Sequence, residues 1–267
     1  DLSNYKIYVC VEPNIRFTAA EKTAILQFVQ NGGGLFMVAD HTASDRNNDG
    51  WDSPAIWNDL MSNNGTVSNP FGITFNLVTF SQTTSAVANL ATNSILHGAA
   101  GNVTQMKFSS GTSMTLNKTA NPNALGLVFK TGSSTTGSTN VMFAQSKYGS
   151  GRIAAIGDSS PIDDGTGDTG DQLYNGWSAE VSGNHSRIIT NATLWLAGAA
   201  PRLEDEAPAT SLQIWPNPAN ETAHIGFSST PNQESLIQLI DLTGRVVYST
   251  TVQNPEEYTQ ADITLEP

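Results

Sequence analysis

The sequence predicts two domains, an α/β domain built on a parallel sheet with flanking helices and then a small all-β sandwich. Two apolar runs of strand length, at residues 5–12 and 35–39, enclose a stretch with helical spacing. This strand–helix–strand order predicts parallel pairing through a crossover. Beyond residue 209, apolar and polar residues alternate between turn-forming stretches, which is typical of short antiparallel strands.

The first helix carries start and stop signals. Thr18 and Glu21 have the spacing of a capping box, and Gly32 to Gly34 follow the last apolar position. The run 35–39 (LFMVA) shows no alternation, as expected for a parallel strand covered on both faces.

The remaining elements of the first domain are shorter or less regular. Residues 66–150 are rich in Thr, Ser, Asn and Gly and predict short strands and loops. The predicted elements are a helix at 54–61, strands at 125–129, 141–145 and 153–156, a hairpin turn at 148–151 and a helix at 187–197. The charged, proline-bounded residues 199–209 predict a linker between domains at 1–198 and 210–267.

Composition excludes several function classes. A net charge of −12 with only 12 Lys and Arg leaves no basic surface for nucleic acid or for an anionic membrane. No window approaches 18 consecutive apolar residues, so we expect no membrane span. The chain begins at Asp1 without a signal peptide, and we expect a mature form or a fragment.

The tail carries two motifs, at residues 215–220 (WPNPAN) and 240–247 (IDLTGRVV). With these motifs, residues 210–267 resemble the type A C-terminal sorting domain of the type IX secretion system. The resemblance implies a Bacteroidetes-type protein that the secretion machinery carries to the outer-membrane cell surface or releases. The family's last strand is expected to be missing. An ordinary Ig-like accessory module is the alternative, because β-sandwiches share this pattern.

The first domain also carries family features: the opening 5–41, the loop 94–98 (SILHG) and the closing stretch 191–198. They resemble the class I glutamine-amidotransferase-like fold, a flavodoxin-like arrangement, and in particular its non-amidotransferase relatives. Amidotransferases place a cysteine at a sharp turn after a central strand. The single cysteine here, Cys10, lies inside the first apolar run, so the resemblance does not imply amidotransferase activity.

Polar side chains follow two predicted strands. Asp40 and His41 follow 35–39, and Asp158 follows 153–156. Because ligands bind beyond the carboxyl ends of such strands, we expect both loops to meet over one crevice. There Asp40 and His41 would activate water, and Asp158 would hold a metal or orient the histidine. Ser159 follows at the same strand end, but no G-x-S-x-G surrounds it.

The loop after Asp40 predicts calcium. Asp45, Asn47 and Asp49 precede Gly50 in D-x-N-x-D-G order, and Asp52 could replace the acidic residue missing from the twelfth position. A second acidic stretch offers two further candidate ligands, Asp163 and Asp164. The alternative is that these side chains cap turns and face water.

Two functions therefore stay open. One is a metal-assisted hydrolase acting on an extracellular polymer such as a polysaccharide. The other is a non-catalytic surface binding or structural module in which calcium only orders loops. The hydrolase requires His41 to face the crevice and a metal with an open coordination position. The module requires a closed calcium cage.

Overall fold

A computed structural model describes residues 2–167, 174–198, 213–215, 219, 222–228, 231–240, 245–254 and 258–264. The chain divides into two units, Asp1–Arg202 and Leu203–Pro267. The predicted linker at 199–209 lies outside the described residues. None of the helices in the described ranges is long and apolar enough to cross a membrane.

The first unit contains four helices and eleven strands in the ranges described. In chain order they are β1 (Ile7–Val11), α1 (Ala19–Gln30), β2 (Gly34–Val38), α2 (Ser53–Ser62), β3 (Ile73–Phe75), β4 (Phe80–Thr84), β5 (His97–Gly98), β6 (Gly101–Asn102), β7 (Met106–Gly111), β8 (Met114–Leu116), β9 (Leu125–Phe129), β10 (Val141–Tyr148), β11 (Gly151–Ile156), α3 (Gly176–Ala179) and α4 (His185–Leu196). The predicted helices at 54–61 and 187–197 are confirmed as α2 and α4.

The central sheet is mixed, so the prediction of a parallel sheet is wrong for part of it. The order is β1-β2-β11-β10-β8-β3, and β9 also pairs with β10. β1 and β11 run parallel to β2, but β10 is antiparallel to β11, β9 and β8, and β3 is antiparallel to β8. The cause is local. Only Gly149 and Ser150 connect β10 to β11, and so short a connection can join only antiparallel strands.

The three parallel strands carry the helical layers. β2 is buried along its whole length, as its unbroken apolar run predicted. The capping box of α1 is confirmed, with the Thr18 side chain and Glu21 each accepting from the other's backbone N–H. Backbone packing is close at Gly151, where an added Cβ would lie 1.9 Å from the carbonyl oxygen of Val29. A side chain at this position would therefore separate β11 from the end of α1.

The described part of the second unit contains five strands. They are β12 (Gln213–Trp215), β13 (Thr222–Ser228), β14 (Glu234–Ile240), β15 (Val246–Gln253) and β16 (Tyr258–Thr264). One antiparallel sheet has the order β12-β13-β16, and β14 pairs with β15 in a second. These strands fit a small all-β domain.

Candidate functional site: a carboxyl-lined cleft

Three carboxylates follow three neighbouring strands of the sheet. Glu12 comes directly after β1, Asp40 two residues after β2, and Asp158 two residues after β11. Because β1, β2 and β11 are parallel and adjacent, their carboxyl ends meet at one edge. A cleft of about 740 Å³ opens there, lined by Val11, Glu12, Asp40, His41, Arg46, Ser109, Ser110, Asp158, Ser159, Ser160, Ile162, Asp163 and Tyr174.

The carboxyl groups of Glu12 and Asp40 are hydrogen-bonded to each other. Burial, the hydrogen bond to Glu12 and repulsion from its charge raise the pKa of Asp40 to about 9. Burial acts against ionisation of Glu12 as well. The hydrogen bond from Asp40, the charge of Arg46 and the Ser159 hydroxyl nevertheless lower the pKa of Glu12 below its usual range. The two carboxyl groups therefore hold a single proton between them, and that proton is on Asp40.

Two groups hold Glu12 in place. Arg46 donates from Nη2 to Oε2 of Glu12 at 2.8 Å and from Nε to the same oxygen at 3.2 Å. The Nη2 atom of Arg46 also lies 3.7 Å from Oδ2 of Asp40. On the other side, the Ser159 hydroxyl donates to Oε1 of Glu12 at 2.9 Å. Both carboxylate oxygens of Glu12 are thus engaged and its orientation is fixed.

Asp158 is completely buried behind the cleft surface. Its Oδ1 accepts from the backbone N–H of Ser160 at 2.8 Å, and its Oδ2 accepts from that of Ser109 at 2.5 Å. Burial raises the pKa of Asp158 to about 6, although these hydrogen bonds favour the charged form. Asp158 therefore ties the loop after β11 to the end of β7.

His41 lies on the cleft wall, partly exposed. Its Nδ1 is 2.6 Å from the carbonyl oxygen of Thr42, and its backbone N–H donates to Oδ1 of Asp40 at 2.8 Å. Because a carbonyl can only accept, Nδ1 carries the proton. In the part of the chain that the structure describes, no hydrogen bond joins His41 to Asp158. The structure thus brings Asp40, His41 and Asp158 to one cleft, with Asp158 engaged by backbone amides.

Two residues of the cleft have a left-handed backbone conformation. Glu12 has φ 42° and Ser110 has φ 66°, and both residues line it. Non-glycine residues seldom adopt this left-handed region, which costs on the order of 1–3 kcal/mol each. Such strain is typical of functional sites, where the surrounding structure holds it.

The predicted calcium loop is closed by its own hydrogen bonds. Asp45 accepts from the backbone N–H groups of Asp49 and Gly50, and Asp49 accepts from that of Trp51. Asn47 donates to Oδ2 of Asp49 at 3.1 Å. Among the residues described, no three Asp, Glu, His or Cys side chains come together in a way that could hold a metal ion. Oxygen atoms suited to calcium are present, but they serve as acceptors for turns of the loop.

The other predicted metal ligands also bind backbone. Asp52 caps α2, accepting from the N–H of Ala55, and its second oxygen accepts from Ala43. Asp163 accepts from the N–H groups of Gly165 and Tyr174, and Asp164 accepts from Thr166. Of these residues, only Asp163 lines the cleft. The nearby Asp168 and Asp171 lie outside the described residues.

Sequence reasoning missed Glu12 and Arg46. Glu12 was hidden as the last residue of the apolar run 5–12, although it occupies the strand-end position that identified Asp40. Arg46 lies inside the acidic loop, where the calcium pattern drew attention to its neighbours. The available signal was a basic residue between carboxylates, because its positive charge offsets their repulsion without a metal.

Comparison with solved structures gives several similarities of low sequence identity. The N-terminal domain of mmIFT52 is 17% identical, with 73% of this chain and 79% of that chain covered and a TM-score of 0.48. A ThuA-like protein from Parabacteroides merdae is 13% identical (79% and 76% covered, TM-score 0.43). A β-galactosidase from Rahnella sp. R3 is 12% identical, and 99% of this chain spans 33% of that enzyme at a TM-score of 0.39. These TM-scores lie below 0.5, too low to establish a shared fold.

Sequence comparison identifies the tail. No curated protein was found to be similar to the chain. Residues 213–265 match the family described as the secretion system C-terminal sorting domain. The resemblance to the type IX sorting domain is thereby confirmed, and the protein is secreted and located at the cell surface.

Proposed function

We propose that the protein is an exported hydrolase that acts on an extracellular polymer such as a polysaccharide, with the carboxyl-lined cleft as its active site. The single observation that carries this proposal is the proton-sharing pair formed by Glu12 and Asp40. Two like groups with opposite shifts in pKa can act as base and acid at the same pH. We infer the substrate class from the location at the cell surface, where extracellular polymers are accessible to an enzyme.

The roles follow from protonation. Asp40 keeps its proton through neutral pH and can give it to a leaving group. Glu12 stays ionised and can take a proton from the attacking group. His41, held by Thr42, presents its second ring nitrogen as a further acceptor on the wall. Asp158 fixes the loop that carries Ser159 and Ser160.

The test is a screen of polysaccharides, their esters and proteins as substrates for the full chain. Asp40→Asn keeps the shape of the side chain but removes the acid, and we expect a loss of about 10²–10⁴-fold in kcat. Glu234→Gln is the control, because Glu234 is an exposed carboxylate in β14 of the second unit. Full activity in Asp40→Asn would contradict the acid role of Asp40. Polymer binding by the wild type without cleavage would contradict the hydrolase and support the non-catalytic module.

We also propose that the first unit derives from the amidotransferase-like fold. In support, β1, α1 and β2 form a parallel strand–helix–strand unit, β11 extends it in parallel, and α4 contacts β11 and β2. Cys10 lies within β1 and not at a strand-end turn. In this fold, the carboxylates and the serine of the cleft lie at the carboxyl ends of the strands.

Calcium at Asp45, Asn47, Asp49 and Asp52, with a role in ordering the loop, stays a prediction of the sequence pattern. Metal binding by Asp163 and Asp164 likewise stays a prediction. The measurement is metal content and melting temperature before and after chelation. About one calcium per chain and a lower melting temperature after chelation, both lost in Asp45→Ala/Asp49→Ala, are the expected results. A metal-free protein whose melting temperature is unchanged by chelator would overturn the prediction.

A further inference from the structure

Ser159 is partly exposed, and its hydroxyl is hydrogen-bonded to a carboxylate. It is partly exposed on the cleft, whereas its neighbours Asp158 and Ser160 are buried. Its hydroxyl donates to Oε1 of Glu12 at 2.9 Å. That distance is within the range in which a base can take the proton of a nucleophile.

The hydrogen bonds continue beyond Glu12. The Glu12 carboxylate is bonded to the carboxyl of Asp40, and Arg46 holds its Oε2. Ser159, Glu12 and Asp40 therefore stand in the order nucleophile, base and orienting group. Catalytic triads have this arrangement, in which a third group fixes the base. Glu12 takes the place that an imidazole has in serine hydrolases.

No hydrogen bond joins the other serines that line the described cleft to Glu12. Ser109 and Ser160 are tied through their backbone N–H groups to Asp158. The N–H of Ser110 donates to the hydroxyl of Ser81. Among the hydroxyl groups that line the described cleft, the Ser159 hydroxyl alone has a hydrogen bond to Glu12.

We propose that Ser159 is the nucleophile of a covalent acyl transfer, and that the bond cleaved is a carboxylic ester or amide of an extracellular polymer. This inference rests on the proposed hydrolase function and names its substrate class. A glycosidic bond fits less well, because retaining and inverting glycosidases hold their two carboxyl groups about 5 Å or more apart. Glu12 and Asp40 are in hydrogen-bond contact.

The step balances within these residues. The oxygen of Ser159 bonds to the acyl carbon as its proton passes to Glu12. The bond to the leaving alcohol or amine breaks, and that group takes the proton of Asp40, so the pair again holds one proton. In the second half, water attacks the acyl carbon and gives a proton to the pair. The pair returns a proton to Ser159, and the carboxylic acid is released.

The experiment is reaction of the full chain with a fluorophosphonate, followed by intact mass and peptide mapping. We expect one adduct, located on Ser159 and absent from Ser159→Ala. Glu12→Gln should slow labelling at least tenfold, because the base is removed. Ser150→Ala is the matched control, since Ser150 lies in the exposed turn between β10 and β11, and it should label at the wild-type rate. Melting temperatures of all variants separate misfolding from lost reactivity.

The outcomes separate the two proposals. An adduct elsewhere, or none, overturns Ser159 as the nucleophile. If Asp40→Asn still abolishes hydrolysis in that case, the proposed function stands with water attacking directly. An adduct on Ser159 together with unchanged hydrolysis in Asp40→Asn supports the nucleophile and overturns the acid role of Asp40. Equal labelling rates in the wild type and a folded Glu12→Gln overturn the proposed base.

Discussion

At the scale of single residues, Glu12 and Asp40 carry the same chemical group and differ in their surroundings. Arg46 and Ser159 donate hydrogen bonds to Glu12 at 2.8 and 2.9 Å, while the same Nη2 atom of Arg46 lies 3.7 Å from Asp40. Neighbouring carboxylates cannot both ionise in a partly buried site, so the charge falls on Glu12, which accepts hydrogen bonds from Arg46 and Ser159. The division into acid and base thus follows from the burial of Asp40 and from the hydrogen bonds and positive charge around Glu12.

The raised pKa of Asp40 predicts how stability depends on pH. The folded state keeps this proton up to about pH 9, whereas the unfolded chain loses it near pH 4. The stability contributed by Asp40 is full below about pH 4 and is lost as pH rises towards 9. Asp40→Asn should therefore flatten the fall in the free energy of unfolding between about pH 7 and 9.

Urea denaturation at several pH values in this window measures the two slopes. Asp164→Asn serves as the control, because the pKa of Asp164 is lowered by its hydrogen bonds with Thr166 and its titration ends well below the window. Asp158, with a pKa of about 6, titrates mostly before pH 7. Identical slopes in the wild type and Asp40→Asn would show that the carboxyl of Asp40 is ionised in the folded protein.

At the scale of elements, local patterns predict segments better than their pairing. The ends of α1 followed from Thr18, Glu21 and the glycines after it, because caps are encoded within a few residues. The antiparallel direction of β10 was implicit in the hairpin turn predicted at 148–151, whereas the pairing of β8 with β3 and β10 joins residues distant in sequence and was not predicted. The site was predictable where Asp40 and Asp158 each follow the end of a strand. The pairing of Glu12 with Ser159 joins residues distant in the chain and required the structure.

The junction of α1 and α2 depends on a buried ion pair. Nζ of Lys22 lies 2.5 Å from Oδ2 of Asp59, with the side chains 6% and 2% exposed. Lys22→Ala leaves a buried carboxylate that retains only Arg16, at 3.3 Å, as a charged partner. We expect a loss of about 3 kcal/mol in the free energy of unfolding, at the low end for broken buried pairs.

Chemical denaturation checks this value against Gln27→Ala, an exposed substitution on the same helix for which we expect a change below about 0.5 kcal/mol. Lys22→Met/Asp59→Leu tests the cause, because exchanging a buried pair for apolar groups is often neutral. A double variant as unstable as Lys22→Ala would assign the loss to packing and not to the unpaired charge.

At the scale of the whole molecule, the domain that directs export and the candidate active site belong to different units. Every residue of the main hydrophobic core, from Ile25 to Leu196, belongs to the first unit. The cleft residues also lie before residue 203. The sorting domain matches residues 213–265, within the second unit. Export and catalysis should therefore be separable by cutting the chain between the two units.

A chain ending at Arg202 should keep the fold of the first unit and lose its place at the cell surface. Its core is complete without the second unit, so calorimetry should give the melting temperature of the first unit within about 2 °C of that in the full chain. In a host with a type IX system, surface protease treatment should reach the full chain but not the truncated one. The full chain, expressed in the same host, is the control. A truncated protein on the surface would contradict the sorting role, and a large fall in melting temperature would show that the first unit depends on the second.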